Sequence, residues 1–383
     1  MPEIWTIKAA LDWCRGYLER KGDDNPRLSA EWLLAEACGL RRVELYVNFD
    51  RPLAPEEREV LRDYVARRGA GEPLQYITGE VAFRHIAVKV RPGVLIPRPE
   101  TEVLVSEALA LLPAPRRRHA TDSVLTENEA QELLLREAAQ KAAAEGLDGD
   151  GATAPSDAAA ASIAEGAGAQ DGPFVDATMA GGAGEPGVAE GPADDFERSG
   201  AASPVASDDA PLYIADICTG SGCIACSIAY EHPDARVLAT DIAPEALALA
   251  RENVEVLGLK ERVYVLSSNL GDSVPPRFVG NLDLVVSNPP YIPTDVMARL
   301  PREVGAFEPA LALDGGADGL DLFRPLTVWA RHALKPGGGY AVELHETCLD
   351  AAAAIAREAG FTDVRIVDDL AGRPRVLVAR TPR

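Results

Sequence analysis

The apolar run Leu282-Asp283-Leu284-Val285-Val286-Ser287 stops at Asn288-Pro289-Pro290-Tyr291. Two successive prolines neither continue a central strand nor open a regular helical turn, so the chain must leave its strand in a fixed, extended corner. Pro289 and Pro290 make that corner rigid. It gathers an amide side chain (Asn288), a carbonyl with no competing N–H neighbour (Pro289) and an aromatic ring (Tyr291). Such groups suit a planar NH2. The Asn288 side-chain oxygen and the Pro289 carbonyl can each accept one of its hydrogens. Held out of plane, the nitrogen recovers a lone pair that can attack a methyl carbon in line. The Tyr291 ring offers a flat face for stacking. No general base is required, because the proton becomes acidic once the nitrogen is methylated.

A second group of residues points to a nucleotide-like ligand. The run Leu212 to Ile217 ends in Cys218-Thr219-Gly220-Ser221-Gly222. Glycines there let the backbone approach a ligand closely, and the helix that follows offers free N–H groups. Asp241 closes the next apolar run, about twenty residues on, where a carboxylate can accept both hydroxyls of a ribose. The same loop also fits the looser pattern G-x-G-x-x-A (Gly220 to Ala225), so by itself it does not separate S-adenosylmethionine from NAD. Cys223 and Cys226 read as core packing on a helix, since no second pair accompanies them, and no metal site is expected.

Strand–helix alternation positions both groups. Strands are expected at 212–217, 237–241, 263–266, 282–287 and 340–344, with two more at 364–367 and 376–379. Helices are expected at 223–230, 244–257 and 350–359. The fold class is therefore α/β, a doubly wound, mostly parallel seven-stranded Rossmann-like sheet whose strand tips carry the ligand. Residues 1–75 read as a small helical bundle. Trp5, Ala9, Leu11, Trp13 and Leu18 lie near helical spacing, Ser29 is a candidate cap for a segment through Ala37, and Pro55 opens a third segment. Residues 76–98 alternate as strands (76–79, 81–83, 86–90, 94–96) and suggest a bridging β-hairpin. A helix from Glu102 to Leu112 leads towards the middle of the chain.

The 383 residues carry a formal charge of −22. Between Thr121 and Ala210 lie about 19 acidic and 3 basic residues, so this stretch holds most of the excess. It is rich in Ala, Gly, Asp and Glu, with too little apolar surface to offset the entropy of ordering. Residues 117–210 are expected to be a disordered insert, with one helix candidate at 127–145. The α/β domain would then comprise 99–116 and 211–383. No basic face for nucleic acid is evident, and no direct nucleic-acid binding is expected. No apolar run reaches membrane-spanning length, the first residues lack the pattern of a secretory signal, and six dispersed cysteines do not make a disulfide scaffold. A cytoplasmic protein without membrane contact is the expectation.

The Gly loop, Asp241 and Asn288–Tyr291 together resemble the amino-group methyltransferases that use S-adenosylmethionine. Pro73-Leu74-Gln75-Tyr76-Ile77-Thr78-Gly79, Phe83, Leu95-Ile96-Pro97-Arg98-Pro99-Glu100-Thr101-Glu102 and the ending Asp368 to Arg375 are similar to the release factor glutamine methyltransferases, the HemK/PrmC family. The resemblance spans everything but the acidic stretch. It implies methylation of the amide nitrogen of the glutamine in the Gly-Gly-Gln motif of class I peptide chain release factors. Cys218, Thr219, Gly220, Ser221, Gly222, Asp241, Leu270 and Asn288 would bind the cofactor. Asn288, Pro289, Pro290 and Tyr291 would bind the glutamine, with Asn288, Pro289 and Tyr291 catalytic. The Pro97–Thr101 segment would line the cofactor side, and the helical domain would help dock the release factor. Two departures stand out: Cys218 occupies a place where the family usually has Gly, and Asn269-Leu270 replace an Asp and an aromatic. The alternative is a DNA adenine N6 methyltransferase, whose substrate presents the same kind of amino group. An NAD-dependent dehydrogenase would leave Asn288–Tyr291 without a role.

Overall fold

A computed structural model of the protein describes residues 5–116 and 210–383. The expected insert, with its helix candidate, lies outside the described residues except for Ala210.

The N-terminal part is helical, as expected, with helices Ile7–Lys21, Pro26–Cys38, Arg42–Val47, Pro55–Gly69 and Leu74–Thr78. Thr6 caps the first by accepting from the Ala9 amide at 3.3 Å, and Gly22 closes it in the left-handed region. The stripe it buries is Ile7, Ala10, Cys14 and Leu18, whereas Trp13 is 45% exposed, so the expected stripe through Ala9 and Trp13 is rotated off the true one. Ser29 is not a cap. Asn25 precedes the helix with Pro26 at its first position, and Ser29 is buried one turn in, because proline's missing N–H costs nothing there. Arg42–Val47 was not anticipated; it is too short for periodicity to reveal. Leu33, Leu34, Leu61 and Val65 complete the bundle core.

Tyr76–Thr78 is helix, not strand. Pro73 starts the turn and Gly79, at φ 77°, ends it, while Tyr76 and Ile77 are buried. The hairpin is shorter than expected, with β1 at Glu80–Phe83 antiparallel to β2 at Ile86–Lys89. Val94–Ile96 forms no strand; prolines at 92, 97 and 99 bound it too closely for a ladder to extend on either side. Helix Thr101–Leu111 follows.

The remaining strands form one seven-stranded sheet: β3 (Leu212–Ile217), β4 (Ala235–Asp241), β5 (Val263–Ser267), β6 (Leu282–Ser287), β7 (Leu334–Glu343), β8 (Thr362–Asp368) and β9 (Pro374–Arg380), in the order β5-β4-β3-β6-β7-β9-β8. The first five are parallel, and β9 pairs antiparallel with both β7 and β8. All of β6 is buried, as expected of a largely apolar strand covered on both faces, and its one acid, Asp283, accepts from the Tyr213 amide at 2.8 Å. Helices Cys223–Glu231 and Pro244–Val256 pack on the sheet, and Cys223 and Cys226 lie in the core cluster with Ile214 and Leu284. Helix Phe323–Ala333 was not anticipated, nor was the chain between Ile292 and Leu322, which the alternation of strands and helices does not cover. Among the described residues no helix is long and apolar enough to cross a membrane.

Candidate active site

The strand order reverses at β3, which lies between β4 and β6, so a crevice opens beyond the tips of these strands. Register decides which residues meet there. Ile217 is level with Thr240 on one side and Ser287 on the other, and Ser287 is level with Val342. Cys218, Asp241, Asn288 and Glu343 therefore emerge at neighbouring tips. The Ser287 hydroxyl donates to the Ile217 carbonyl at 2.6 Å, tying the β6 tip to the β3 tip inside the core. Beyond them is a cleft of about 260 Å³.

Most of the residues expected at the site line this cleft: Cys218, Thr219, Gly220, Ser221, Asp241, Leu270, Asn288 and Pro290. Pro97, Arg98 and Thr101 line it too. Gly222, Pro289 and Tyr291 are not among the lining residues. Gly222 is a packing glycine: at φ 80° a Cβ would come within 3.2 Å of Ala250 Cβ, so its absence lets the helices close up.

Backbone groups organise the β3–β4 side. Asp241 accepts from the Gly220 amide (2.9 Å) on one oxygen and from the Ala243 amide (3.0 Å) on the other. Its carboxylate is thus aimed before any ligand arrives. Beneath the loop, Asp216 is wholly buried and accepts from the Thr219 hydroxyl (2.6 Å) and the Ala225 amide (3.1 Å). Burial raises its pKa to about 7, opposed by those two donors and reinforced by the nearby charge of Asp241. Cys218 sits at φ 61°, a conformation that suits glycine. Its thiol is pushed up to about 12 by burial, with Asp241 and Asp216 adding to the effect, so it is no nucleophile at neutral pH. Leu270, at φ 50°, holds its place through its carbonyl, which accepts from the Thr240 hydroxyl at 2.9 Å.

Side chains organise the β6–β7 side. Asn288 Nδ2 donates to Thr101 Oγ1 at 3.2 Å, and the Tyr291 hydroxyl donates to Glu343 Oε1 at 3.0 Å. The Tyr291 phenol is held well above its usual range by burial and by the Glu343 charge, so it remains a donor. Two glycines lie against the corner. A Cβ on Gly315 would come 2.6 Å from Tyr291 Cα, and one on Gly319 would come 2.4 Å from the Tyr291 carbonyl oxygen. The chain that follows folds back over the cleft, where Pro309, Leu311 and Ala312 form one lip. This lip is fastened by Arg98, whose guanidinium meets Glu308 at 2.6 Å.

Sequence reasoning missed Asp216, Glu343, Glu308 and the 309–312 lip as parts of the site. Only Asp216 had a local signal, as the acid closing the strand before the loop. The arrangement offers an apolar slot with a fixed carboxylate at one end and an amide-bearing corner at the other.

Comparison with known proteins gives independent information. Residues 9–79 match the family model of the PrmC N-terminal domain, and residues 207–299 match that of the methyltransferase small domain. A release factor glutamine methyltransferase of Geobacter sulfurreducens is 36% identical over 381 residues, covering 99% of this chain and 98% of the relative. One of Moorella thermoacetica is 34% identical over 375 residues, covering 98% of each. Among solved structures, a methyltransferase from Pyrococcus furiosus is 20% identical with a TM-score of 0.34, covering 45% of this chain and 76% of that one.

Proposed function

Because the chain belongs to the release factor glutamine methyltransferase family, we propose that it methylates the side-chain amide nitrogen of the glutamine in the Gly-Gly-Gln motif of class I release factors, with S-adenosylmethionine as donor. The observation that carries this reading is the pairing of Ile217 with Ser287, which sets the Gly loop and Asn288 into one cleft.

The residues present suit that cofactor. Asp241, pre-aimed by two backbone amides, is the natural partner of the ribose hydroxyls. Val94, Ile224, Ile242 and Leu270 supply apolar walls for the base and the methionyl stem. Gly220, with no side chain and only Val94 Cγ1, at 4.0 Å, near where a Cβ would sit, lets the loop backbone come close. When bound, the cofactor supplies an electrophilic methyl group on a sulfonium.

The protein's task is to prepare the carboxamide. An amide nitrogen delocalises its lone pair into the carbonyl and is a poor nucleophile. In this reading the Asn288 side-chain oxygen and the Pro289 carbonyl accept the two N–H bonds, drawing the hydrogens out of plane and freeing the lone pair. The double-proline corner keeps these acceptors in place at little entropic cost on binding. Tyr291, with its hydroxyl committed to Glu343, supports the corner. The helical bundle, the proposed docking domain, is joined to the chain beyond the corner: Arg68 bridges Asp23 at 2.6 Å and Glu303 at 2.7 Å.

Incubation with S-adenosylmethionine and intact class I release factor, followed by mass spectrometry of the Gly-Gly-Gln peptide, tests the proposal. One added methyl group on the glutamine amide is expected. Methyl transfer to adenine in DNA with none to release factor would replace this reading with the DNA adenine alternative.

A further inference from the structure

We propose that Thr101 and Glu343 are positioning residues that determine which way round the Asn288 carboxamide faces the cleft. The inference rests on the function proposed above.

A carboxamide is nearly symmetrical in shape but opposite in chemistry at its two ends. Only its oxygen accepts a substrate N–H; turned over, it would set its own N–H groups against those of the substrate. In the structure Asn288 Nδ2 donates to Thr101 Oγ1, which leaves the amide oxygen as the end available to a ligand. Thr101 must therefore act as an acceptor towards Asn288. A hydroxyl carries a single proton, so this is secured when that proton is directed elsewhere.

Glu343 supplies the destination. It ends β7 next to the β6 tip, since Ser287 and Val342 are level, and it is only 1% exposed. One of its oxygens takes the Tyr291 hydroxyl; the other, Oε2, is buried with no hydrogen-bond partner. Burial raises the pKa of this carboxylate, with the Glu100 charge adding to it, while the Thr101 hydroxyl, the Tyr291 hydroxyl and Arg375 pull the other way. With Oε1 occupied by the Tyr291 hydroxyl, the unpartnered Oε2 is the acceptor left for a second hydroxyl. Direction then passes outward: Glu343 draws the Thr101 proton, Thr101 accepts from the Asn288 NH2, and the Asn288 oxygen is left for the substrate. Through Tyr291, the same carboxylate also holds the far end of the corner. Thr101 is 2% exposed and opens its helix, so its hydroxyl has little freedom to turn away.

The test compares Thr101→Val, Thr101→Ser and Glu343→Gln in the full chain, with intact class I release factor as substrate and circular dichroism as the check on folding. Glu343→Gln keeps the shape but introduces a donor that reverses the direction. Thr101→Val and Glu343→Gln should lower kcat about 10- to 100-fold, the cost of a misdirected group at a reacting centre. KM for release factor and the calorimetric Kd for S-adenosylmethionine should stay within about threefold, and Thr101→Ser should restore kcat to a similar margin. A folded Glu343→Gln enzyme with wild-type kcat would overturn the proposal whether or not Thr101→Val folds. So would a Thr101→Ser enzyme as slow as Thr101→Val, or losses confined to KM and Kd. Failure of the wild-type enzyme to methylate the glutamine amide would instead remove the function itself, and this proposal with it.

Discussion

At the tips of β3 and β4, the two carboxylates are held by three backbone amides and one neighbouring hydroxyl. Asp241 takes its two amides from Gly220 and Ala243, and Asp216 takes donors from Thr219 and Ala225. At the tips of β6 and β7, the holding groups are side chains from far along the chain. Asn288 leans on Thr101, 187 residues away, and Tyr291 on Glu343, 52 residues away. The first arrangement depends mainly on local conformation and tolerates an unusual side chain such as Cys218. The second exists only when three separate elements are assembled. On the function proposed here, damage to the first tip should appear in cofactor affinity, and damage to the second in the chemical step.

The largest expected effect breaks the second tip directly. Asn288→Ala should lower kcat by about 100-fold or more, as for loss of a polar group aimed at the reacting atoms. Calorimetry should find cofactor binding changed far less. Equal losses in kcat and cofactor affinity would dissolve the division between the tips. Asp241→Ala is the converse case. It should weaken S-adenosylmethionine by about 1–3 kcal/mol, the scale of lost charge-assisted hydrogen bonds, while kcat at saturating cofactor is largely kept. An unchanged Kd would take the ribose role from Asp241.

A smaller effect sharpens the account of the first tip. Burial raises Asp216 to about 7, whereas the unfolded chain releases this proton near pH 4, so the folded chain holds the extra proton from about 4 to about 7. Stability from this residue therefore falls as pH rises through that window. Asp216→Asn removes the dependence, and the melting temperature of the variant relative to wild type should climb by a few degrees between pH 5 and pH 8. A difference that stays flat with pH would contradict the assignment. Least of all is Cys218→Gly. Relief of the left-handed backbone, about 1–2 kcal/mol, is offset by the greater freedom of glycine in the unfolded chain and by lost sulfur packing. Chemical denaturation should show a change of less than about 1 kcal/mol. A larger loss would mean that the thiol, not the backbone, holds the loop.

The departure at Cys218 shows how far the sequence reaches. The family resemblance marked glycine as the usual residue there, but the reason, φ 61°, belongs to the folded chain. The segment 73–79 shows the opposite. Alternation pointed to a strand at Tyr76–Thr78, yet Pro73 and Gly79 bound a single helical turn whose two apolar residues serve different clusters, Ile77 the bundle and Tyr76 the packing around Val90 and Ile96. Periodicity over three residues does not distinguish these outcomes. Thr101 lay in a segment already placed beside the cleft, but its bond to Asn288 did not follow from that. Glu343 read as one more residue of a buried strand.

What the amino-acid order determined by itself was whatever short-range chemistry dictates: the parallel sheet from its strand–helix rhythm, the tight loop from its glycines, the carboxylate at the next strand end, and the rigid corner from two prolines. Each follows from dihedral limits or spacing within a few residues. Only the tertiary structure decided which way the Asn288 amide faces, what holds Tyr291, and how Arg98 and Glu308 fasten the lip of the cleft. Those contacts join residues that no local pattern relates, because they come together only when the sheet's register and the packing of the helix at Thr101 bring distant strand tips to one place.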